Sequence, residues 1–439
     1  MEILIKASQL ILSLSILIIL HELGHFVPAK LFKTKVEKFY LFFDWKFSLW
    51  KYKRGETEYG IGWIPLGGYV KIAGMIDESM DKEQMKLPPQ PWEFRSKPAW
   101  QRLIIMIGGV TVNVLLAIAI YIGILFYYGE EILPTANLTY GVSCDSLALE
   151  MGLKNGDKII SVNGKEVESF KKVSMEIIMQ EARTVQVMRE GKLENIVVPA
   201  GFIAKLVKQP NDFIQPRFPF VIQEFGEASP AKLAGILVGD KLVGINDTKM
   251  EYFDEFRAEI QKHKNQTVNV KVIRNGNELS LPVKVNEQGF IGVIPQSLDH
   301  FLKIEEKKYS FFEAIPAGTK KAFTTVADYV GQFKLIFNSE VQGYKQLGGF
   351  ITFGKVFAPE WDWMRFWNLT AFFSVALAVM NLLPIPALDG GHVLFLLVEM
   401  ITGRKLPEKF LEYAQTVGMI LLLSLLLFAN GNDIFRLFQ

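Results

Sequence analysis

Cysteine is almost absent. The single thiol, Cys144, rules out an intrachain disulfide and any metal cluster built from several thiolates. A metal held by this chain must therefore take histidine and carboxylate ligands. Histidine is scarce too, with 5 in 439 residues, which keeps the search for ligands short. No block of Lys and Arg is interleaved with aromatics and the net charge is only +2, so a nucleic-acid surface is set aside. Charged residues make up 21% of the chain against 50% hydrophobic and 13% aromatic, more apolar surface than a soluble domain needs for its core. Part of the chain is expected inside lipid.

Four stretches approach the roughly 20 apolar residues that cross a bilayer core of about 30 Å, at about 4–29, 102–128, 367–399 and 411–429. No A-x-A-like cleavage site follows the first, which is read as a retained helix rather than a signal peptide. Lys and Arg crowd the loop between the first two spans, from Lys30 to Arg102, and recur as Arg404, Lys405 and Lys409 between the last two. The positive-inside rule makes both loops cytoplasmic and leaves both termini and about 130–365 on the other side.

That outer region repeats itself. ALEMGLKNGDKIISVNG at 148–164 matches AKLAGILVGDKLVGIND at 231–247, pairing Gly152 with Gly235, Gly156 with Gly239, Asp157 with Asp240 and Asn163 with Asn246 at one constant offset. Each copy passes from a short helical pattern through a Gly-Asp turn into alternating strand patterns. The pattern resembles PDZ domains, whose sheet edge accepts an extended peptide. A duplicated β-rich spacer is the plainer alternative. From about 301 to 346, Phe323, Val326, Val330, Phe333 and Phe337 recur at helical spacing, an amphipathic helix expected to pack on the outer membrane surface or the bundle.

The first span ends in His21-Glu22-Leu23-Gly24-His25. Two imidazoles one turn apart on a helix can hold a single Zn²⁺ while the intervening Glu faces the next coordination position. Zinc brings the pKa of its bound water toward about 7, and the carboxylate takes the proton as that water attacks a polarised carbonyl. Polar groups at membrane depth are costly, by roughly 2.5–3.5 kcal/mol for a charge, so their presence after fourteen mostly apolar residues, Ala7 to Leu20, points to function. His21 lies about 24 Å below Ile5 along the helix, which puts the metal in the cytoplasmic leaflet and excludes His263 and His300 of the outer region as further ligands. The third ligand must come from NLLPIPALDGGH, 381–392, where Pro384 and Pro386 break the helix against protein or a wet cavity. Asp389 and His392 both remain open, with Glu399 nearer the end.

HELGH, IPLGGYVKIAG at 64–74, KPAWQRLIIMIGGVTVN at 97–113, the tandem repeats and NLLPIPALDGGH together resemble the site-2 protease family of intramembrane zinc proteases, and within it the bacterial branch with two PDZ domains. The resemblance covers nearly the whole chain. It implies a polytopic α-helical membrane protein with four transmembrane helices, a membrane-associated β element and two extracytoplasmic, β-rich PDZ-like domains. It implies one Zn²⁺ per chain on His21, His25 and Asp389, Glu22 as general base, and Asn381 holding the substrate backbone. The segment around Gly60 to Val70 becomes a membrane-dipping β element offering a strand edge near Gly67 and Gly68. The family often has Gly-Pro where this chain has Gly109-Val110 and Gly349-Phe350, a departure away from the zinc ligands that bears on substrate seating at Asn113 and Gly348.

The organisation expected is then 1–129 as the first catalytic membrane half, 130–205 and 206–297 as PDZ-like domains, 298–365 as the linker with the amphipathic helix, and 366–439 as the second membrane half. The implied partners are membrane lipid and single-span membrane proteins, anti-sigma factors shortened by another protease and signal-peptide remnants, cut in the bacterial inner membrane with the repeats in the periplasm. Two rivals come from other classes. A membrane-anchored PDZ scaffold with a dead metal site would be expected to have lost HELGH or LDGG, and both are complete. A transporter would want inverted repeats of its spans, and none is visible.

Overall fold

The computed structural model describes residues 1–65, 67–75, 87–208, 213–338 and 341–438. It divides into two compact units, one of residues 1–129, 308–337 and 344–439, the other of 130–307 and 338–343. Leu66, inside the membrane-dipping element expected over 60–70, lies outside the described residues.

The first unit is built on helices α1 (Glu2–Leu31), α2 (Ala99–Tyr127), α3 (Phe311–Phe337), α4 (Phe350–Val356), α5 (Trp363–Leu382), α6 (Asp389–Thr402) and α7 (Glu408–Arg436). Four of them, α1, α2, α5 and α7, are long and apolar enough to cross a membrane. The stretch 367–399, expected as one interrupted span, is two separate helices. Pro384 and Pro386 cannot donate to a helix ladder, so α5 stops at Leu382, the chain bends at Leu383 and Pro384 and turns at Ala387 with φ 80°, and α6 restarts at Asp389.

In an apolar solvent, helices associate through small residues and a few polar contacts rather than through large apolar side chains. The α1–α2 crossing follows this rule: a Cβ on Gly24 would lie 2.5 Å from the Gly108 carbonyl oxygen, and one on Gly108 would lie 2.0 Å from that of Gly24. Ser13 and Thr370 share a hydrogen bond of 2.9 Å between α1 and α5, and Ser374 Oγ donates to the Asn113 carbonyl at 2.7 Å. The same rule governs α3. Its buried stripe is Ala314, Gly318 and Ala322, laid against α2 so closely that a Cβ on Gly318 would sit 2.6 Å from the Ile122 nitrogen. Phe323, Val330 and Phe337, named above for their spacing, are exposed.

Between α1 and α2 lies a four-stranded sheet of β1 (Val36–Leu41), β2 (Trp50–Arg54), β3 (Thr57–Ile61) and β4 (Tyr69–Ile72), in the order β2-β3-β1-β4. One cluster of Ala29, Val36, Ile72, Ile105, Met106 and Val393 locks the end of α1, the sheet, the start of α2 and α6 together. Beside it, the largely buried Arg102 pairs with Glu399 at 2.5 Å, tying α2 to the far end of α6.

In the second unit the sequence duplication is a duplication of fold. Lys158–Val162 pairs with Lys165–Glu166 and with Thr184–Arg189, which pairs with Lys192–Val197; Lys241–Ile245, Thr248–Lys249, Thr267–Arg274 and Asn277–Lys284 repeat that order. The paired motif residues explain why. Asp157 takes the Arg189 guanidinium at 2.7 Å and Asp240 that of Arg274 at 2.6 Å, while each arginine also donates to the carbonyl of the glycine ending the short helix, Gly152 or Gly235. Asn163 and Asn246 turn with φ near 50° and each accepts a backbone N–H from the next strand, of Arg183 and Asn269. Burial pushes the Cys144 thiol up to about 12, which favours its neutral, weakly nucleophilic form.

Candidate metal centre

Helix α1 carries His21 and His25 buried on the face that meets α2, and α6 begins at Asp389, whose carboxylate reaches the same point. His21 Nε2 and His25 Nε2 are 3.3 Å apart, and each is 3.3 Å from Asp389 Oδ2. Ligand atoms held at about 2.0–2.1 Å around a tetrahedral Zn²⁺ are separated by roughly 3.3 Å, so this triangle fits the ion. Asp389 Oδ2 is buried with no hydrogen-bond donor, a state that a carboxylate oxygen tolerates when a cation faces it. The three side chains form the one group suited to a metal ion among the described residues. Sequence reasoning left Asp389 and His392 open; Asp389 joins the two histidines, whereas His392 lines the neighbouring cavity.

The surroundings fix the ring orientations. His25 Nδ1 lies 2.8 Å from the Ile105 carbonyl, which can only accept, so the proton sits on Nδ1 and the Nε2 lone pair faces inward. For His21, a metal-facing Nε2 requires a proton on Nδ1. Asn113 Nδ2 lies 3.0 Å from that Nδ1 while Asn113 Oδ1 is buried without a partner; with the two ends of the amide exchanged, Oδ1 accepts the Nδ1 proton. Asn381 Nδ2 is 3.3 Å from His21 Nε2, so Asn381 borders the centre itself.

Glycine is required where α2 passes the two rings: a Cβ on Gly109 would fall 2.4 Å from His25 Nε2 and 2.7 Å from His21 Cε1. Gly109→Ala is therefore expected to leave the helix intact, since alanine is the better helix former, yet to push both imidazoles off their positions. Zinc affinity, read by competition with a chelator, should fall by at least about 10-fold, the range seen when ligand orientation is lost. Full retention of zinc would show that the rings have room.

A cavity of about 1700 Å³ opens on this centre. Glu22, Gly67, Gly68, Asn381 and His392 line it, together with a large apolar wall that includes Phe333 and Met380. It exceeds the roughly 300–1,000 Å³ of small-molecule pockets and suits a stretch of polypeptide. The Val70 amide hydrogen-bonds Glu22. A Cβ on Gly68 would lie 2.5 Å from Ile18 Cγ2 and 3.7 Å from Glu22 Cγ, so the absence of a side chain there lets the chain leading into β4 run against α1. In the sheet β4 is an outer strand, paired with β1 alone among the described residues, and its Val70 amide is engaged by Glu22 rather than by a further strand.

Two supports escaped the sequence reading. Gln415 of α7, 4% exposed, accepts the Ala387 N–H at 3.1 Å and so holds the turn just before Asp389. Gly418, one turn on, has no space for a side chain, because a Cβ there would lie 1.6 Å from the Pro386 carbonyl oxygen. A polar residue and a glycine at near-helical spacing inside an apolar span were the only signal. Nothing local links them to a turn some thirty residues earlier.

The family model for peptidase family M50 matches residues 9–425. The Yersinia pestis protein named Protease RseP is 30% identical over 465 aligned residues that cover 100% of both chains. The Regulator of sigma E protease of Haemophilus influenzae is 27% identical, again over 100% of both. A Campylobacter jejuni protein whose name describes a zinc metalloprotease is 30% identical over 97% of this chain and 92% of its own.

Proposed function

The chain belongs to peptidase family M50 and is a zinc metalloendopeptidase, and from that premise we propose that it cuts the membrane-spanning segments of single-span membrane proteins. The observation that carries this is the triangle of His21, His25 and Asp389 at 3.3 Å on a polypeptide-sized cavity. Those three residues hold the ion, which when bound supplies a Lewis acid and an activated water. Glu22, one residue from a ligand and lining the same cavity, accepts the proton of the attacking water and later returns it to the leaving amine. Asn381 aims its amide at the reacting centre and holds the substrate backbone there. A spanning helix has every backbone group bonded within itself, so the segment must unwind before a peptide carbonyl can be attacked. The outer edge of β4, entered past Gly67 and Gly68, offers the strand partner that replaces the lost helix bonds.

The enzyme lies in the bacterial inner membrane with Lys- and Arg-rich loops in the cytoplasm, the metal centre toward that leaflet and the duplicated unit in the periplasm. The relatives named as regulators of sigma E point to anti-sigma factors already trimmed by another protease as substrates, with signal-peptide remnants as a second group. Purified enzyme and a single-span substrate in the same bilayer disc give the test. Cleavage within the span should stop on removal of zinc by a chelator and return when zinc is restored. Cleavage confined to exposed loops would overturn the intramembrane reading.

The two copies, about 130–205 and 206–297, act as PDZ-like domains that screen substrates by size. A domain tethered outside adds little positional precision to a cut made inside a helix. Deleting 135–297 should leave zinc bound and let the enzyme cut substrates that still carry a bulky outer domain. Unchanged discrimination between a full-length and a pre-shortened substrate would remove the screen. Slower cutting of the shortened form would favour delivery by capture of its carboxyl terminus instead.

A further inference from the structure

Strand β2 is exposed along its whole length, an edge strand with neither face covered. Its side chains alternate, Trp50, Tyr52 and Arg54 to one side and Lys51 and Lys53 to the other. The loops beside it add Trp45, Phe47, Leu49 and Trp63, all at least 40% exposed. These aromatics are organised rather than scattered. Phe47 stacks on Trp63 at 5.6 Å and 4°, Trp50 on Tyr52 at 6.3 Å, and the Trp63 indole N–H donates to the Trp45 carbonyl at 2.8 Å.

The charge on this surface is one-signed. Lys46 lies 4.3 Å over the Trp45 ring, and Lys46, Lys51, Lys53 and Arg54 pair with no carboxylate among the described residues. The neighbouring acids are engaged elsewhere: Asp44 with Lys38 at 3.5 Å, Glu56 with Lys30 at 2.8 Å, and Glu58 with the Tyr40 hydroxyl at 2.7 Å. Rigid Trp and Tyr rings sit best at headgroup depth, and unpaired basic residues near a membrane attract anionic lipid. We propose that β2 and its flanking loops form a binding surface for anionic phospholipid headgroups, which holds the sheet of the metal centre at a fixed depth.

This rests on the chain being a membrane protein and not on its proteolytic activity, so the test involves no cleavage. Cys144 is the only thiol, and Cys144→Ser with Leu49→Cys places one environment-sensitive fluorophore in the middle of the surface. The zinc-loaded full chain, one per bilayer disc, is compared in phosphatidylcholine alone and with phosphatidylglycerol, either lipid carrying brominated acyl chains. Brominated phosphatidylglycerol should quench the probe several-fold more than brominated phosphatidylcholine at equal mole fraction. The fourfold variant Lys46→Gln, Lys51→Gln, Lys53→Gln and Arg54→Gln, which breaks no ion pair and should keep its zinc, should quench equally with both. Equal quenching in the unsubstituted chain, no quenching at all, or quenching that needs a second chain in the disc would each overturn the proposal, the last in favour of self-association.

Discussion

Glu22→Gln should abolish turnover while zinc stays bound. The side chain keeps its size, so its fit beside Gly68 is undisturbed, and none of the three atoms of the 3.3 Å triangle is touched. What disappears is the group that accepts a proton. General acid–base catalysis contributes about 10²–10⁴-fold, or roughly 3–5 kcal/mol of barrier at 25 °C, and kcat on a single-span substrate should fall by at least that much. Elemental analysis should find the same zinc content per chain as in the parent. A variant that still cuts at the parent rate would remove Glu22 from the mechanism. One that loses zinc as well would make Glu22 a structural residue.

Asp389→Asn should fail in the opposite order, losing the metal first and activity as a consequence. The carboxylate contributes the third corner of the triangle and the only formal negative charge in it. An amide of the same shape offers a neutral oxygen, and its nitrogen end would point a donor at the ion. Removing groups that merely orient ligands already costs about 10–100-fold in metal affinity, so losing a ligand's charge should cost at least the upper end of that range. His392→Ala is the matched control, because His392 lines the cavity but stands outside the triangle. Chelator competition on both variants decides the assignment. Weakened zinc in the histidine variant alone would reverse it.

The metal motif, the spans and the duplication were legible because each is local. Two imidazoles four residues apart, long apolar runs and a repeated Gly-Asp turn need no knowledge of what packs against them. Which side chain completes the triangle was not readable from spacing, since Asp389 and His392 sit within one turn of each other on α6 and only the tertiary packing brings Asp389 to the two histidines. The packing face of α3 was not legible from its large apolar residues, for a different reason. Large apolar residues mark the buried side of a helix in water, but against another membrane helix the close-packed side is the small one, here Ala314, Gly318 and Ala322. The supports at Gln415 and Gly418 were invisible because each acts on a residue far away in the chain.

The metal triangle also sets a schedule. His21 and His25 leave the ribosome long before Asp389, and before the Gln415 and Gly418 that hold the turn preceding it. At about 5–20 residues per second, a growing chain carries its histidine pair in the bilayer for roughly 20–70 s before the carboxylate exists. During that interval the membrane holds a chain in which the His21–His25–Asp389 triangle cannot close, and the turn that carries its third corner is held only once α7 has been made.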